Sequence, residues 1–569
     1  MEEKRMQRRR GTPGLAWRAG PLALLLVLAG CGQAGPSASV PAETGPAESA
    51  VPSTTPEAAV ESLRAGMVGD ESTLNPYTYV TGFPGWNLLM LQYDSLLQFD
   101  VNGEPQPWLA SGYEVSADGL TYTVTLVDGV TWNDGTPFTA DDVKFTVDYF
   151  QANTQSRFTR DLSGVASVTV DAPNKVTITL TSPNPSFPIR ALADVPIIPK
   201  HIWESVTTPA EATFDSPTNV GTGPYKLVEY VADQSYRFVA NETYFRGAPA
   251  VKELVLVQYA DEAGIVAALR TGDVQAGFRS ISPEQVEALA AAPGIDVAQG
   301  PEFTTQMLYF DVTKAPFDQL AVRQAISLAI DRQDMVNTVY LGKGTVGNSG
   351  WTHPSSPFFN AAVATTTDVA RANALLDEAG LTDSNGDGIR EFDGNPMSFE
   401  LLAPSDNPLR LRLAELSREM LAQIGIDAVV TSIERDTLVN RVWPDFDVSK
   451  GRDYEMSIFG WSAPVQVDPA QITALVASDP AVGSINIAGF KNAEADRLSG
   501  EILVEGDPTR RKDLLGQLQA LVADQVPFVM LLYPDGNYAY NADAYDGWAF
   551  IAGQGVVNKL SFLQPDSRP

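Results

Sequence analysis

The 569-residue chain is poor in side chains that can attack a bond, hold a transition metal or pass a proton near neutral pH. It has one cysteine, Cys31, and two histidines, His201 and His353. The histidines are far apart in sequence, and neither belongs to a group with metal-ligand spacing, so neither bound nickel or haem nor any resident metal or cofactor is expected. A Gly-x-Ser-x-Gly elbow, a His-Glu-x-x-His helix and a phosphate-cradling glycine loop with its lysine are all missing from the sequence. The 70 acidic residues make some carboxylate pair inevitable, which leaves an extracellular hydrolase as the rival class. The run Asp383-Ser384-Asn385-Gly386-Asp387-Gly388-Ile389-Arg390-Glu391 supplies the first half of a calcium loop but reaches Gly394 where the loop requires its bidentate glutamate, so a solvated turn is the expectation.

Cys31 follows the apolar run from Leu22 to Gly30, which is preceded by Arg8-Arg9-Arg10. That run is too short to span a bilayer and suits the apolar region of an export signal. Leu28-Ala29-Gly30-Cys31 resembles the bacterial lipoprotein box, which implies cleavage before Cys31, acylation of its thiol and new amino group, and a protein lipid-anchored on the outer face of the cytoplasmic membrane, in a periplasm or at the cell surface. Residues 32 to about 60 are almost wholly Gly, Pro, Ala, Ser, Thr and Glu, a composition that reads as a disordered tether spanning roughly 30 Å. Loss of residues 1–30 would remove six Lys/Arg and two Asp/Glu from totals of 39 and 70, leaving 33 against 68 and a net charge of −35. Such a surface repels phosphate backbones and anionic head groups, so nucleic acid is excluded as a partner and the membrane link rests on the lipid.

The elements that would position a site follow from periodicity. Leu120, Tyr122, Val124 and Leu126 alternate with threonines, and Asp128-Gly129 reads as the turn of a hairpin returning through Val130-Thr131-Trp132. Thr139 and Asp142 form a capping box opening a helix to about Tyr149. Lys175 to Thr181 reads as a strand, and Ala260 to Arg270 as a helix closed by Gly272 and followed by the strand Val274 to Phe278. Helical spacing recurs at Val322, Ala325, Ile326, Ala329 and Ile330, and at Leu514, Leu515, Leu518, Leu521 and Val522 after Asp507-Pro508. Alternating strands and helices specify a mixed α/β protein.

Several of these stretches together resemble the bacterial extracellular solute-binding proteins of family 5, the dipeptide, oligopeptide and nickel receptors of ABC importers. The resemblance rests on Leu74-Asn75-Pro76, Tyr93-Asp94-Ser95-Leu96-Leu97, the block from Pro107-Trp108-Leu109-Ala110 to Trp132-Asn133-Asp134-Gly135-Thr136-Pro137-Phe138-Thr139-Ala140-Asp141-Asp142-Val143, Gly221-Thr222-Gly223-Pro224-Tyr225, Asn241 to Gly247, and Val322-Arg323-Gln324-Ala325-Ile326 with Asp331-Arg332. It implies a two-lobed clamp of the periplasmic-binding-protein type with discontinuous lobes. The first lobe would comprise 61–88, 218–306 and 528–569, with an inserted subdomain at 89–217, and the second lobe 307–527.

The same resemblance implies a non-enzymatic receptor, monomeric, that captures a solute between the lobes and delivers it to ABC permease subunits. The family's ligand-contacting segment corresponds to Phe459-Gly460-Trp461 through Asp468-Pro469, with Trp461 as the leading contact and Asp468 as a candidate for an ammonium or hydroxyls, or as a helix cap. Oligopeptide-binding members carry a carboxylate three residues after that tryptophan; here the position is Pro464, which has neither charge nor N–H. Peptide is the family default, and an oligosaccharide the alternative, for which Tyr77, Tyr79, Phe83, Trp86 and Trp351 are candidate cleft aromatics.

Overall fold

A computed structural model describes residues 60–78, 85–153, 158–213, 219–462 and 468–569. Cys31, the expected signal segment and the expected tether as far as residue 59 lie outside the described residues.

The alternating segment forms the strand Thr121–Leu126, with Tyr122, Val124 and Leu126 buried. Burying each such side chain stabilises the fold by roughly 1.5–3 kcal/mol. The hairpin expected after it does not form. Both edges of Thr121–Leu126 are occupied, one by Ala110–Val115 and the other by Lys175–Leu180, and Thr131 makes only an isolated bridge to Pro137. With Val165–Ala172 these strands complete a separate four-stranded antiparallel sheet. The helix Ala140–Ala152 packs beside it and begins as its sequence requires, the Asp142 carboxylate accepting the Thr139 N–H at 2.9 Å. The helix Glu262–Thr271 ends on Gly272 at φ 79°, a left-handed cap that glycine adopts without Cβ strain.

Among the described residues the principal sheet has twelve strands. Its path runs Asp427–Ile433, Ser398–Pro404, Met456–Phe459, Gln306–Phe310, Phe528–Asn541, Ala276–Gly277, Val60–Val68, Val251–Tyr259, Ser235–Ala240 and Tyr225–Val231, with Ile295–Pro301 and Gly344–Val346 also paired to Phe528–Asn541. The long strand Phe528–Asn541 belongs to both halves. Phe528 to Leu532 pair with Gln306–Phe310, whereas Asp535 to Asn541 pair with Ile295–Pro301. The chain makes a second crossing through residues 302–305, beside the first, since the Glu302 N–H donates to the Pro534 carbonyl at 3.4 Å. Two lobes of α/β structure thus share one sheet through two adjacent crossings.

Each half has its own core. In Gln306–Phe310 the period-two rule sends Leu308 and Phe310 into one cluster and Met307 and Tyr309 into another, so helices cover both faces of that half. A further cluster gathers the first half of the principal sheet and the four-stranded sheet. Most segments of the family resemblance converge on one buried carboxylate. Asp94, 0% exposed, accepts from Trp108 Nε1 at 2.8 Å, Tyr244 O–H at 3.1 Å, Thr222 O–H at 3.0 Å and Lys559 Nζ at 2.5 Å. Burial lowers the Lys559 pKa, and Asp94 opposes that shift. These residues identify the fold because they join four separated segments to the C-terminal region.

Candidate functional site

The crossing segment 302–305 meets the end of Met456–Phe459 at Gly460 and Trp461. The Thr305 N–H donates to the Trp461 carbonyl at 3.0 Å, and the Trp461 N–H donates to Thr305 Oγ1 at 2.8 Å. A Cβ at position 460 would run into the Thr305 carbonyl oxygen, so Gly460 is required by this close approach. The Trp461 indole N–H donates to Tyr309 Oη at 2.8 Å, and its ring makes edge contacts with Phe459 at 5.2 Å and Trp443 at 5.5 Å between centroids. Trp461 keeps 8% of its surface exposed and Phe459 7%, so this aromatic wall is closely packed with a narrow accessible rim.

Arg410 lies on the Phe459 side of this wall. The helix Pro408–Ala422 starts on Asn407, whose side chain accepts the Arg410 N–H at 3.0 Å. Arg410 therefore occupies the first helical turn, where the backbone dipole disfavours a cation. Its Nε donates to Gln306 Oε1 at 2.8 Å and its guanidinium carbon is 6.0 Å from the Phe459 ring centre; among the described residues the neighbouring Asp406 forms its ion pair with Arg435, at 3.2 Å, rather than with Arg410. Burial lowers the Arg410 pKa and the Arg435 charge adds to that shift, while Tyr340 and Asp406 oppose it. With Arg435 held by Asp406, the Arg410 charge is left without an ion-pair partner among the described residues, in a chain of net charge −31. Arg412, two residues on, crosses to the other half and pairs with Glu284 at 2.8 Å, which places the first turns of this helix at the seam between the halves. The arrangement can hold a carboxylate against the guanidinium and an apolar or planar group against the aromatic wall.

Residues 104–482 match the bacterial extracellular solute-binding proteins, family 5 Middle. The chain belongs to that family. A Brucella ovis protein named for peptide binding by an ABC transporter is 32% identical to this family 5 protein over 381 residues, covering 65% of this chain and 68% of the relative. The crystal structure of NikZ from Campylobacter jejuni with Ni(L-His) is 26% identical, with a TM-score of 0.72 over 85% of this chain and 94% of its own. That of the oligopeptide-binding protein AppA from Bacillus subtilis with a nonapeptide is 24% identical, with a TM-score of 0.73 over 89% and 99%. The two-lobed architecture of this family 5 protein agrees with both.

The structure brings together only some of the residues singled out from sequence. Trp461 and Trp351 share one core cluster in the second half, and Trp351, 1% exposed, is enclosed there, its carbonyl accepting from Tyr533 O–H at 2.7 Å. Trp86, also 1% exposed, and the half-buried Tyr77 belong to the cluster of the first half, where Trp86 packs on Phe158. Tyr79, Phe83 and Pro464 lie outside the described residues. Asp468 is 3% exposed; its Oδ1 accepts the Ala470 N–H at 3.0 Å, steadying the turn before the helix Gln471–Val476, and also the Ser186 hydroxyl at 3.0 Å.

His201 pairs with Asp134 at 2.8 Å, while burial pushes the His353 imidazole down to about 4. Among the described residues no group of three His, Cys, Asp or Glu side chains is placed to hold a metal. In the Asp383 loop the Asp383 carboxylate accepts the Gly386 and Gly388 N–H groups at 2.6 and 2.9 Å, the turn expected from sequence. Arg410, Gln306 and Thr305 were not legible as site residues. The available signal was an arginine set directly behind the helix-start pair Asn407-Pro408, in the turn where the dipole opposes it.

Proposed function

We propose that this family 5 protein is the solute-capturing subunit of an ABC importer, and that its solute is a peptide whose terminal carboxylate rests on Arg410. The observation that carries this reading is a guanidinium at the seam, held by Gln306 and lacking a carboxylate partner among the described residues. The nonapeptide in the AppA structure supports it by kinship. Capture leaves the solute unchanged, because binding rather than turnover is what an aromatic wall and a lone cation provide. The lobes are drawn as 61–88, 218–306 and 533–569 with the insertion 89–217, and 307–532, so that Phe528 to Leu532 count with the strand they pair to. Lipid on Cys31 would hold the chain, as a monomer, at the outer face of the cytoplasmic membrane beside its permease.

Native mass spectrometry as purified, and after mild denaturation to release trapped solute, tests the class of ligand. Thermal-shift measurements then compare peptides with free and amidated C-termini, and oligosaccharides. A bound ligand raises the melting temperature by mass action, so free-acid peptides should raise it and their amides should raise it less. Arg410→Met should abolish that difference. A response to oligosaccharides with none to peptides would overturn the peptide reading.

A further inference from the structure

The four-stranded insertion touches the second half at a polar contact that no sequence signal marked. Ser186 follows the strand Lys175–Leu180 and donates its hydroxyl to Asp468 at 3.0 Å. Arg511, on the helix Pro508–Gln525, donates to the same Ser186 oxygen at 2.6 Å, and its Nη2 stands 3.8 Å from Asp468 Oδ1. Ser186, Asp468 and Arg511 are 6%, 3% and 7% exposed. Arg190, tied to Asp161 at 2.9 Å on the insertion, contributes further positive charge facing Asp468. Among the described residues Arg511 Nε is buried without a hydrogen-bond partner, so the guanidinium recovers only part of its desolvation cost.

We infer that Ser186, Asp468 and Arg511 form a latch that sets solute affinity from outside the binding site: they hold the insertion against the second half in the closed form and part when the lobes open. Asp468 then acts on the solute through closure, as a positioning residue, and its carboxylate is already engaged by Ser186. A fully satisfied buried network would resist opening, whereas one with an orphaned N–H separates at small cost, its groups regaining water. The affinity of a ligand that binds the closed form scales with the fraction closed, so weakening the latch lowers affinity without altering any group that touches solute.

The inference rests on the two halves moving as lobes, and the test separates the two ideas. In the full chain with Cys31→Ser, spin labels at the exposed positions Tyr113 on the insertion and Val504 on the second half report their separation by pulsed electron resonance, with and without a stabilising free-acid peptide. Ser186→Ala and Arg511→Met should each shift the ligand-free chain toward the longer distance and weaken peptide binding by about ten-fold, in line with loss of a charged hydrogen bond. The double variant should add little to either, because both changes break one contact. Asp468→Asn, which keeps the shape, stands in if Arg511→Met fails to melt cooperatively. Variants that open, close and bind like the parent overturn the latch alone. A parent with one distance, unmoved by peptide and by every variant, overturns the latch and the moving lobes together.

Discussion

At the scale of single residues, burial decides what each charge is for. Asp94 and Lys559 are both enclosed, at 0% and 3% exposure, so neither can fall back on water if its partner is lost. Lys559→Met strands a buried carboxylate and should cost about 3–5 kcal/mol in urea unfolding, whereas Asp94→Asn with Lys559→Met should restore a large part of it. Glu302, in the crossing segment, responds to pH. Its carboxyl is pushed up to about 7 by burial, against hydrogen bonds from Tyr538 and Thr304 that lower it, with Arg279 and Asp535 facing it. Between the ordinary carboxylate pKa and about 7, the folded chain keeps a proton that the unfolded chain releases. The unfolded state thus binds fewer protons, and this contribution to stability falls as pH rises through that window and is level above it. Glu302→Gln, which mimics the protonated acid, should remove that component, so unfolding free energies at pH 5 and pH 7.5 should differ less in the variant than in the parent. Sequence disclosed which residues were scarce, but not which were buried together: Asp94, Trp108, Thr222 and Tyr244 read as family markers, and only the fold shows that they share one carboxylate.

Among elements, those whose signals were local were legible. Helices at Ala140–Ala152, Glu262–Thr271, Leu320–Ala329 and Pro508–Gln525 all form where spacing and caps placed them. The Asp142 box carries a direct expectation. The Asp142 carboxylate accepts the Thr139 N–H and, with its other oxygen, the Lys200 N–H at 3.0 Å, so Asp142→Ala should lower stability by about 1–2 kcal/mol, read as a lower urea midpoint at unchanged slope. The expected hairpin at Asp128-Gly129 failed for a reason invisible to a window of sequence. Gly129 does adopt φ 76°, as the turn required, but Lys175–Leu180, some fifty residues later, takes the edge that Val130-Thr131-Trp132 would have filled. Turn chemistry states that the chain reverses; competition among strands decides what it pairs with.

For the whole molecule, the division of labour along the long strand determines what can fold alone. Phe528, Val529, Met530, Leu531 and Leu532 supply both core clusters of the second half while lying in the C-terminal part of the chain, beyond every other strand of that half. No periodicity in residues 307–527 announces the dependence, because a strand buried on both faces reads as one apolar run wherever its partners lie. A piece spanning 305–534 contains Gln306–Phe310 and the stretch that pairs with it, along with Gly344–Val346 and its partner residues Leu532, Tyr533 and Pro534. It should fold cooperatively. A piece ending at residue 527 exposes one edge of Gln306–Phe310 and removes five buried side chains, at roughly 1.5–3 kcal/mol each, a loss comparable to the entire stability of a typical domain. Circular dichroism and thermal melting of the two pieces therefore test where the second lobe ends: a cooperative transition in the longer piece and its loss in the shorter would place Phe528 to Leu532 in that lobe, and equal melting of both would return them to the first.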